Sequence, residues 1–546
     1  MSFFDHLPVL VVLLPALTAV ALLFIGDGGG DGTGVHGSHG HHRLKWARRV
    51  SLASVVLFAL LAALLVARAA DGSILVVRVG EWPAPFGIAL VVDRLGALMV
   101  ALTAAVAVPV LLYATGGWDS HGRHFHPIFQ FQLMGLAGAF VTGDLFNLFV
   151  FFEVLLIASY VLMLHGQGRE RFKAGLHYVV LNLVASALFL IGVSLLYAQT
   201  GTLNLADLAL RVPQLQGDDA AIAQAAGLVL LVVFGFKAAL VPLAVWLPGT
   251  YAATSAPVAA LFAIMTKVGV YSLLRVHGVV FGDGAGSGPA TGPAAMAAEP
   301  WILPLALATC GVGVMGALAS RTLPRLVSWL TVASVGTVLV GVGLFTPAAW
   351  AASLYYMINS TLVIAGLFLL GEIVAAQRGD AADHLEPGPA VGQPVLLGLA
   401  MLLAAASAAG LPPLPGFIGK LMLLEAAAPH AWVVAVWAVV LGAGFLTLVG
   451  LARAGSILFW HVRDDLPACT ASGGSLRLQG AMALLLAMTV AVSVFAGPMQ
   501  RYTAAAAVQL GDRAAYGRAV LGENAQTTRP YRFDAPAAPA APEAPR

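Results

Sequence analysis

The sequence predicts an all-α polytopic membrane protein of about fourteen transmembrane helices, arranged as inverted five-helix repeats, with helices 7 and 12 broken. Three observations carry that prediction. The 546 residues are 60% hydrophobic and 10% charged, with mean hydropathy +0.89, whereas soluble domains carry about a quarter charged residues. Apolar runs recur from end to end, each near the roughly 20 helical residues that a bilayer core of ~30 Å requires. Finally, two runs are broken by proline beside a lysine, in Lys237-Ala-Ala-Leu-Val-Pro242 and in Pro412-Pro-Leu-Pro415 ahead of Lys420. Broken helices at corresponding places in two halves of a chain point to inverted repeats.

The first run, 7–25, follows Asp5 and His6 rather than a basic stretch and has no small-x-small cleavage site, so it reads as a retained helix, not a leader. The next runs are 50–69, 86–113, 126–142, 144–165, 174–199, 219–247 and 255–280. Then come 302–319, 325–345, 348–374, 393–427, 431–460 and 478–500. Residues 1–500 form a single transmembrane domain in this reading, with one repeat over about 126–280 and the second over about 302–460. The tail from 501 to 546 contains Ala535-Pro-Ala-Ala-Pro539 and reads as partly disordered.

Loop charges set an orientation through the positive-inside bias. Arg43, Lys45, Arg48, Arg49, Arg169, Arg171, Lys173, Arg321, Arg325, Arg463 and Arg477 fall on one side of a fourteen-helix chain. Asp207, Asp218 and Asp219 fall on the other with Arg211, and Arg68 and Arg78 run against the bias but are outnumbered. Both termini are then non-cytoplasmic.

Other function classes lack support. A formal charge of +2 with no basic arm argues against nucleic acid. Cys310 and Cys469 lack ligand or disulfide spacing. His36, His39, His41 and His42 sit in a Gly-rich loop that reads as a flexible linker rather than a metal site. No flavin, iron–sulfur, haem or nucleotide motif occurs, so neither metal nor cofactor is expected.

Charges inside the spans are more informative. A lysine or aspartate at a helix centre costs roughly 2.5–3.5 kcal/mol on the insertion scale, so such residues mark ion pathways by default. Glu153, Lys237, Lys267 and Lys420 lie on four different spans. Unpaired, they would together cost on the order of 10 kcal/mol; they must face one another or water, which makes a polar axis. A buried lysine balanced between desolvation and a nearby carboxylate can gain and lose a proton as its neighbour moves. Glu153 is the carboxylate expected to tune Lys237, with Lys267 either receiving the proton or repelling it onward. The breaks at Pro242, Pro248, Pro412, Pro413 and Pro415 are tolerated at membrane depth where backbone is packed in protein or lines a cavity.

Weaker candidates surround this set. Asp144 and Asn147 sit near the end of span 5, and His177 is near the start of span 6. Ser328, Thr331, Ser334 and Thr337 stripe span 10 at helical spacing. Glu425, five residues after Lys420, is its expected local partner, whereas Asp93, Arg94, Arg275 and Glu372 read as interfacial.

Three ordered stretches carry a family likeness: Gly143-Asp-Leu-Phe-Asn-Leu-Phe-Val-Phe-Phe-Glu153; Phe236-Lys-Ala-Ala-Leu-Val-Pro242 with Trp246-Leu-Pro248; and Ala256-Pro-Val-Ala-Ala-Leu261 leading to Thr266-Lys-Val-Gly-Val-Tyr271. They resemble the antiporter-like proton-translocating subunits of respiratory NADH:quinone oxidoreductase, membrane-bound hydrogenases and multisubunit Mrp (Pha) cation/proton antiporters, most nearly the D-type component of the last. The resemblance spans about residues 90–460 and implies the fourteen-helix fold, a Glu153–Lys237 pair, Lys267 as central relay and Lys420 as exit lysine. It implies an ion-translocating subunit of a Na+(K+)/H+ antiporter in a bacterial-type inner (plasma) membrane, with other membrane subunits as partners. The alternative within the family is a proton-pumping subunit of a respiratory or hydrogenase complex; outside it, a non-transporting membrane scaffold. Ala244 and Ser334 stand where respiratory relatives often have His, and Gly249 replaces an acidic residue after Trp-Leu-Pro. These departures weaken a histidine relay and leave ordered water near Ser334 as its substitute.

Overall fold

Apolar runs can satisfy their backbone in lipid only as helices, and the computed structural model, which describes residues 3–26, 38–282, 292–463 and 475–522, is a bundle of them. Among the described residues, twelve helices are long and apolar enough to cross a membrane, and the apolar helices Phe125–Val141 and Pro394–Ala409 are shorter. His36, Cys469 and residues 523–546, with the Ala/Pro stretch, lie outside the described residues.

Helices α1 (Leu7–Ile25) and α2 (Ser38–Ala69) lead to a hairpin of β1 (Leu75–Arg78) and β2 (Ala89–Val92), antiparallel with Leu75 opposite Val92. This corrects the run expected over 86–113. Helix α3 (Arg94–Ala114) begins only after Asp93, whose side chain caps it by accepting from Gly96 N at 2.8 Å. The Val-rich residues before it suit a strand better than a helix. Helices α4 (Phe125–Val141), α5 (Leu145–Leu164) and α6 (Arg169–Thr200) follow, then short α7 (Leu205–Arg211) and α8 (Gly217–Ala238). The run expected over 219–247 continues as α9 (Trp246–Ala253). The next comprises α10 (Ala256–Phe262), α11 (Met265–Leu273) and a π-helical turn, Leu274–Val280.

Helices α12 (Glu299–Leu318), α13 (Leu323–Gly343) and α14 (Pro347–Ala375) precede a second divided run, α15 (Pro394–Ala409) and α16 (Pro415–Ala427). Then come α17 (Val433–Phe459), α18 (Leu476–Val494), α19 (Ala496–Gly511) and α20 (Arg513–Leu521). The expected tail therefore starts as helix: α19 packs on α14 and α3, and α20 on α7. Small residues make this close packing possible, Ala506 and Ala507 being fully buried.

The bundle has two ends. One carries β1–β2, which touches the start of α5 through Gly143 N donating to Ala89 O at 2.8 Å; it is called the hairpin face. The other carries the loop between α3 and α4, where Trp118 Nε1 donates to Glu372 and His165 Nε2 bonds the Trp118 carbonyl at 3.0 Å. In the same loop, Asp119 binds Arg48 of α2 through two hydrogen bonds of 2.6 and 2.7 Å, and His126 lies 3.1 Å away. Burial alone would push the Asp119 carboxyl up, but the hydrogen bonds from His126 and Arg48 outweigh it and hold it below the usual range.

Candidate ion-translocation axis

Lys237 occupies the last turn of α8 and is 5% exposed. Its helix stops because Ala239 turns left-handed at φ +63° and Pro242 has no N–H to continue the ladder. The freed groups find partners: Leu240 N donates to Gly235 O at 2.8 Å, Trp246 Nε1 to Phe236 O at 3.0 Å, and Val241 N to Thr309 Oγ1 at 2.9 Å. A lysine in this place benefits from the negative end of the half-helix dipole.

The Lys237 ammonium does not bond Glu153 directly. It donates to Asn182 Oδ1 of α6 at 2.9 Å, and one turn further along α6 Ser186 donates to Glu153 Oε1. Asn182 commits its own amide to Tyr178 O at 2.9 Å, which leaves its carbonyl for the lysine. Helix α6 thus bridges the expected pair, and the sequence reading singles out neither Asn182 nor Ser186. Their signal is two polar residues four apart in the apolar middle of α6. The rings of Phe152 and Phe236 lie 5.8 and 5.9 Å from the ammonium, close enough for a cation–π contribution.

Lys267, on α11, is fully buried, and its ammonium donates to Thr266 Oγ1 at 3.3 Å. Gly269 packs this helix against the broken end of α8. A Cβ there would fall 2.4 Å from Ala238 N, so only glycine permits the approach.

Lys420 follows the second break. Gly410 turns left-handed at φ +88°, and the cyclic Pro412 and Pro413 keep the ladder from resuming. Pro415 starts α16, and Gly416 lies so close to α15 that a Cβ would fall 1.9 Å from Ser407 O. The Lys420 ammonium takes the open carbonyls of Ala409 and Ala408 at 2.7 and 3.3 Å. It therefore also faces the negative end of a half-helix. Beside it is a cavity of about 20 Å³, lined by Ser334, Thr337, Tyr356, Asn359 and Ser360 among others, room for about one water. Asn359 accepts from Ser407 Oγ at 2.8 Å, and its Nδ2 is buried without a partner.

The other candidates are placed differently. Asp144 caps α5, accepting from Asn147 N at 2.8 Å. His177 is exposed in a crevice of about 1140 Å³ between α6, α9, α12 and α13 that opens on the Trp118 face. Ser334 is buried on the Lys420 cavity. Glu425 is exposed and is not brought to Lys420. Pro242, Pro412 and Pro413 are exposed at the breaks, while Pro248 and Pro415 are buried inside α9 and α16. Two residues expected at the interface are instead interior: Arg275 grips Asp93 through bonds of 2.7 and 2.5 Å, at 4% and 2% side-chain exposure. Among the described residues, no cluster of three His, Cys, Asp or Glu could hold a metal ion.

A membrane bundle with buried lysines at two helix breaks is the architecture of an ion-translocating antiporter-type subunit. Residues 142–447 match the family described as "NADH:quinone oxidoreductase/Mrp antiporter, TM", and the chain belongs to that family. It is 39% identical over 543 residues to the D-type component of a probable K(+)/H(+) antiporter of Rhizobium meliloti, covering 93% of this chain and 96% of that protein. It is 34% identical over 527 residues to the D-type component of the Na(+)/H(+) antiporter of Alkalihalophilus pseudofirmus, covering 95% and 100%. Among solved structures, a chain of the Mrp complex from Dietzia sp. superposes with TM-score 0.81 at 26% identity, over 96% of this chain and all of that one. A chain of respiratory complex I from Thermus thermophilus shares the fold, with TM-score 0.75 at 22% identity over 93% and 99%.

Proposed function

We infer that the chain is the subunit of a multisubunit Na+(K+)/H+ antiporter that carries protons through the membrane along Glu153, Lys237, Lys267 and Lys420. The observation that carries this reading is the Lys237 ammonium, held at 2.9 Å by Asn182 on the same helix that binds Glu153 through Ser186. A proton at Lys237 is stabilised by that carbonyl and by the end of α8. Loss of either contact as α6 or the break moves favours release, and Gly269 brings the Lys267 helix directly against the releasing segment. At Lys420 the accepted proton is held by the carbonyls of α15, with room for one water between Ser334 and Asn359 in place of a histidine.

The basic loops favour the Trp118 face as cytoplasmic, with both termini on the opposite side of the plasma membrane. The crevice lined by Glu170, Lys173 and His177 then serves as the aqueous mouth of the first half-path. Other membrane subunits complete the antiporter, as the names of the relatives suggest.

The test is Na+/H+ and K+/H+ exchange in inverted vesicles from an antiporter-deficient host carrying the complete neighbouring gene set. Lys237→Ala is compared with the native chain at equal membrane content. Loss of exchange in an intact assembly supports the path. Unchanged exchange favours a scaffold, and absence of exchange from the native assembly favours a redox-driven pump.

A further inference from the structure

The helix that bears Lys267 runs on towards the hairpin face, and its polar residues do not stop there. Tyr271 and Arg275 follow at successive turns on the same side, with 2% and 4% exposure. Arg275 Nε donates to the Tyr271 hydroxyl at 3.0 Å, and that hydroxyl donates to Phe140 O at 3.0 Å. The guanidinium closes on Asp93 through both carboxylate oxygens. Asp93 Oδ1 also takes Gly96 N at 2.8 Å. Tyr516 of α20 covers the guanidinium, its ring centroid 5.7 Å away.

This string leads from the central lysine to the bundle end, yet it is built so that no proton can follow it. A proton wire needs groups that both give and take a proton, and arginine never gives its proton up. The Tyr271 proton is committed to a backbone carbonyl, and its oxygen is held by Arg275. Both oxygens of Asp93 are occupied. A buried ion pair with these bonds satisfied needs no water; with one partner removed, the remaining charge demands solvation.

We propose that the Asp93–Arg275 pair is a proton-tight plug that seals the hairpin end of the Lys267 helix, so that protons arriving at Lys267 pass on to Lys420. The plug rests on the reading of Lys267 as a proton carrier. Its distinctive consequence is a leak: the opened end lets protons cross without cation exchange.

The experiment measures passive proton permeability of vesicles containing the whole antiporter assembly, under an imposed pH gradient with the exchanged cations absent, alongside cation-driven exchange. Arg275→Gln is expected to raise the passive rate at least tenfold. The paired replacement Asp93→Leu with Arg275→Met, which refills the site without charge, is expected to restore tightness and keep exchange. A tight Arg275→Gln assembly overturns the plug, as does loss of exchange in the apolar pair, which would put the ion pair on the path itself. If Arg275→Gln does not assemble, the neutral pair Asp93→Asn with Arg275→Gln takes its place: leak supports the plug, tightness overturns it. Adding Lys267→Ala to the leaking variant separates the two readings. Abolished leak supports both, whereas persistent leak means that protons reach the opened end without Lys267 and overturns the Lys267 route together with the plug's part in it; a tight Arg275→Gln assembly overturns the plug alone.

Discussion

Lys237 and Asn182 are joined by a 2.9 Å hydrogen bond from ammonium to amide carbonyl, and this bond places α6 between the charged lysine and Glu153. Hydrogen bonds to charged groups contribute about 1.5–3 kcal/mol. Replacing Asn182 with Ala should therefore lower exchange by roughly ten- to a hundred-fold at unchanged assembly, on that same scale. Initial rates of cation-driven pH change in vesicles measure it. Native rates in the variant would remove α6 from the path.

Ser334→Leu should fill the small cavity beside Lys420 without touching its carbonyl contacts. Exchange is expected to fall well below half of native, with the modest drop in thermal midpoint that overpacking a one-water cavity brings. A Leu variant with full exchange would mean that no water in this cavity is needed.

Gly269→Ala and Gly416→Ala test the close approaches at the two breaks. Each added methyl meets backbone, at 2.4 Å from Ala238 N and 1.9 Å from Ser407 O. Overpacking of this kind costs typically about 1–3 kcal/mol. A lowered unfolding temperature in detergent is expected for both, with Gly249→Ala, where the space is open, as the neutral control.

The Asp119 site gives an acid dependence. Its carboxyl lies below its ordinary range in the folded chain, burial being outweighed by the hydrogen bonds of His126 and Arg48. Its stabilisation is therefore complete above the unfolded carboxylate range and is lost as pH falls through the folded value. The melting temperature of the native protein should exceed that of Asp119→Asn near neutral pH, and the gap should close in acid. A gap that widens in acid would reverse the assignment.

The sequence makes the energetically demanding features visible. Glu153, Lys237, Lys267 and Lys420 stand out because a charge inside an apolar run carries a penalty that hydropathy records, and the proline breaks stand out because they remove backbone donors. Asn182 and Ser186 do not, since an uncharged polar residue in a membrane helix is common and carries a small penalty. Asp93 and Arg275 look interfacial in the sequence because each lies near the end of its run. Their pairing across 182 residues depends on which helices pack together, and that information is absent from local pattern. The second hairpin strand, β2, reads as the start of a helix because its Val-rich residues are apolar enough for either state.

The clamp at the hairpin face has a consequence for biogenesis. Gln509 on α19 bonds Arg94 N and Gly72 O, at 2.9 and 2.8 Å, and Tyr516 on α20 lies over Arg275. Both helices leave the ribosome after every residue of the lysine axis has been made. Until they dock, the hairpin face, with Arg275 and Asp93 beneath it, stays incompletely covered, so this end of the bundle closes only once α19 and α20 have been made.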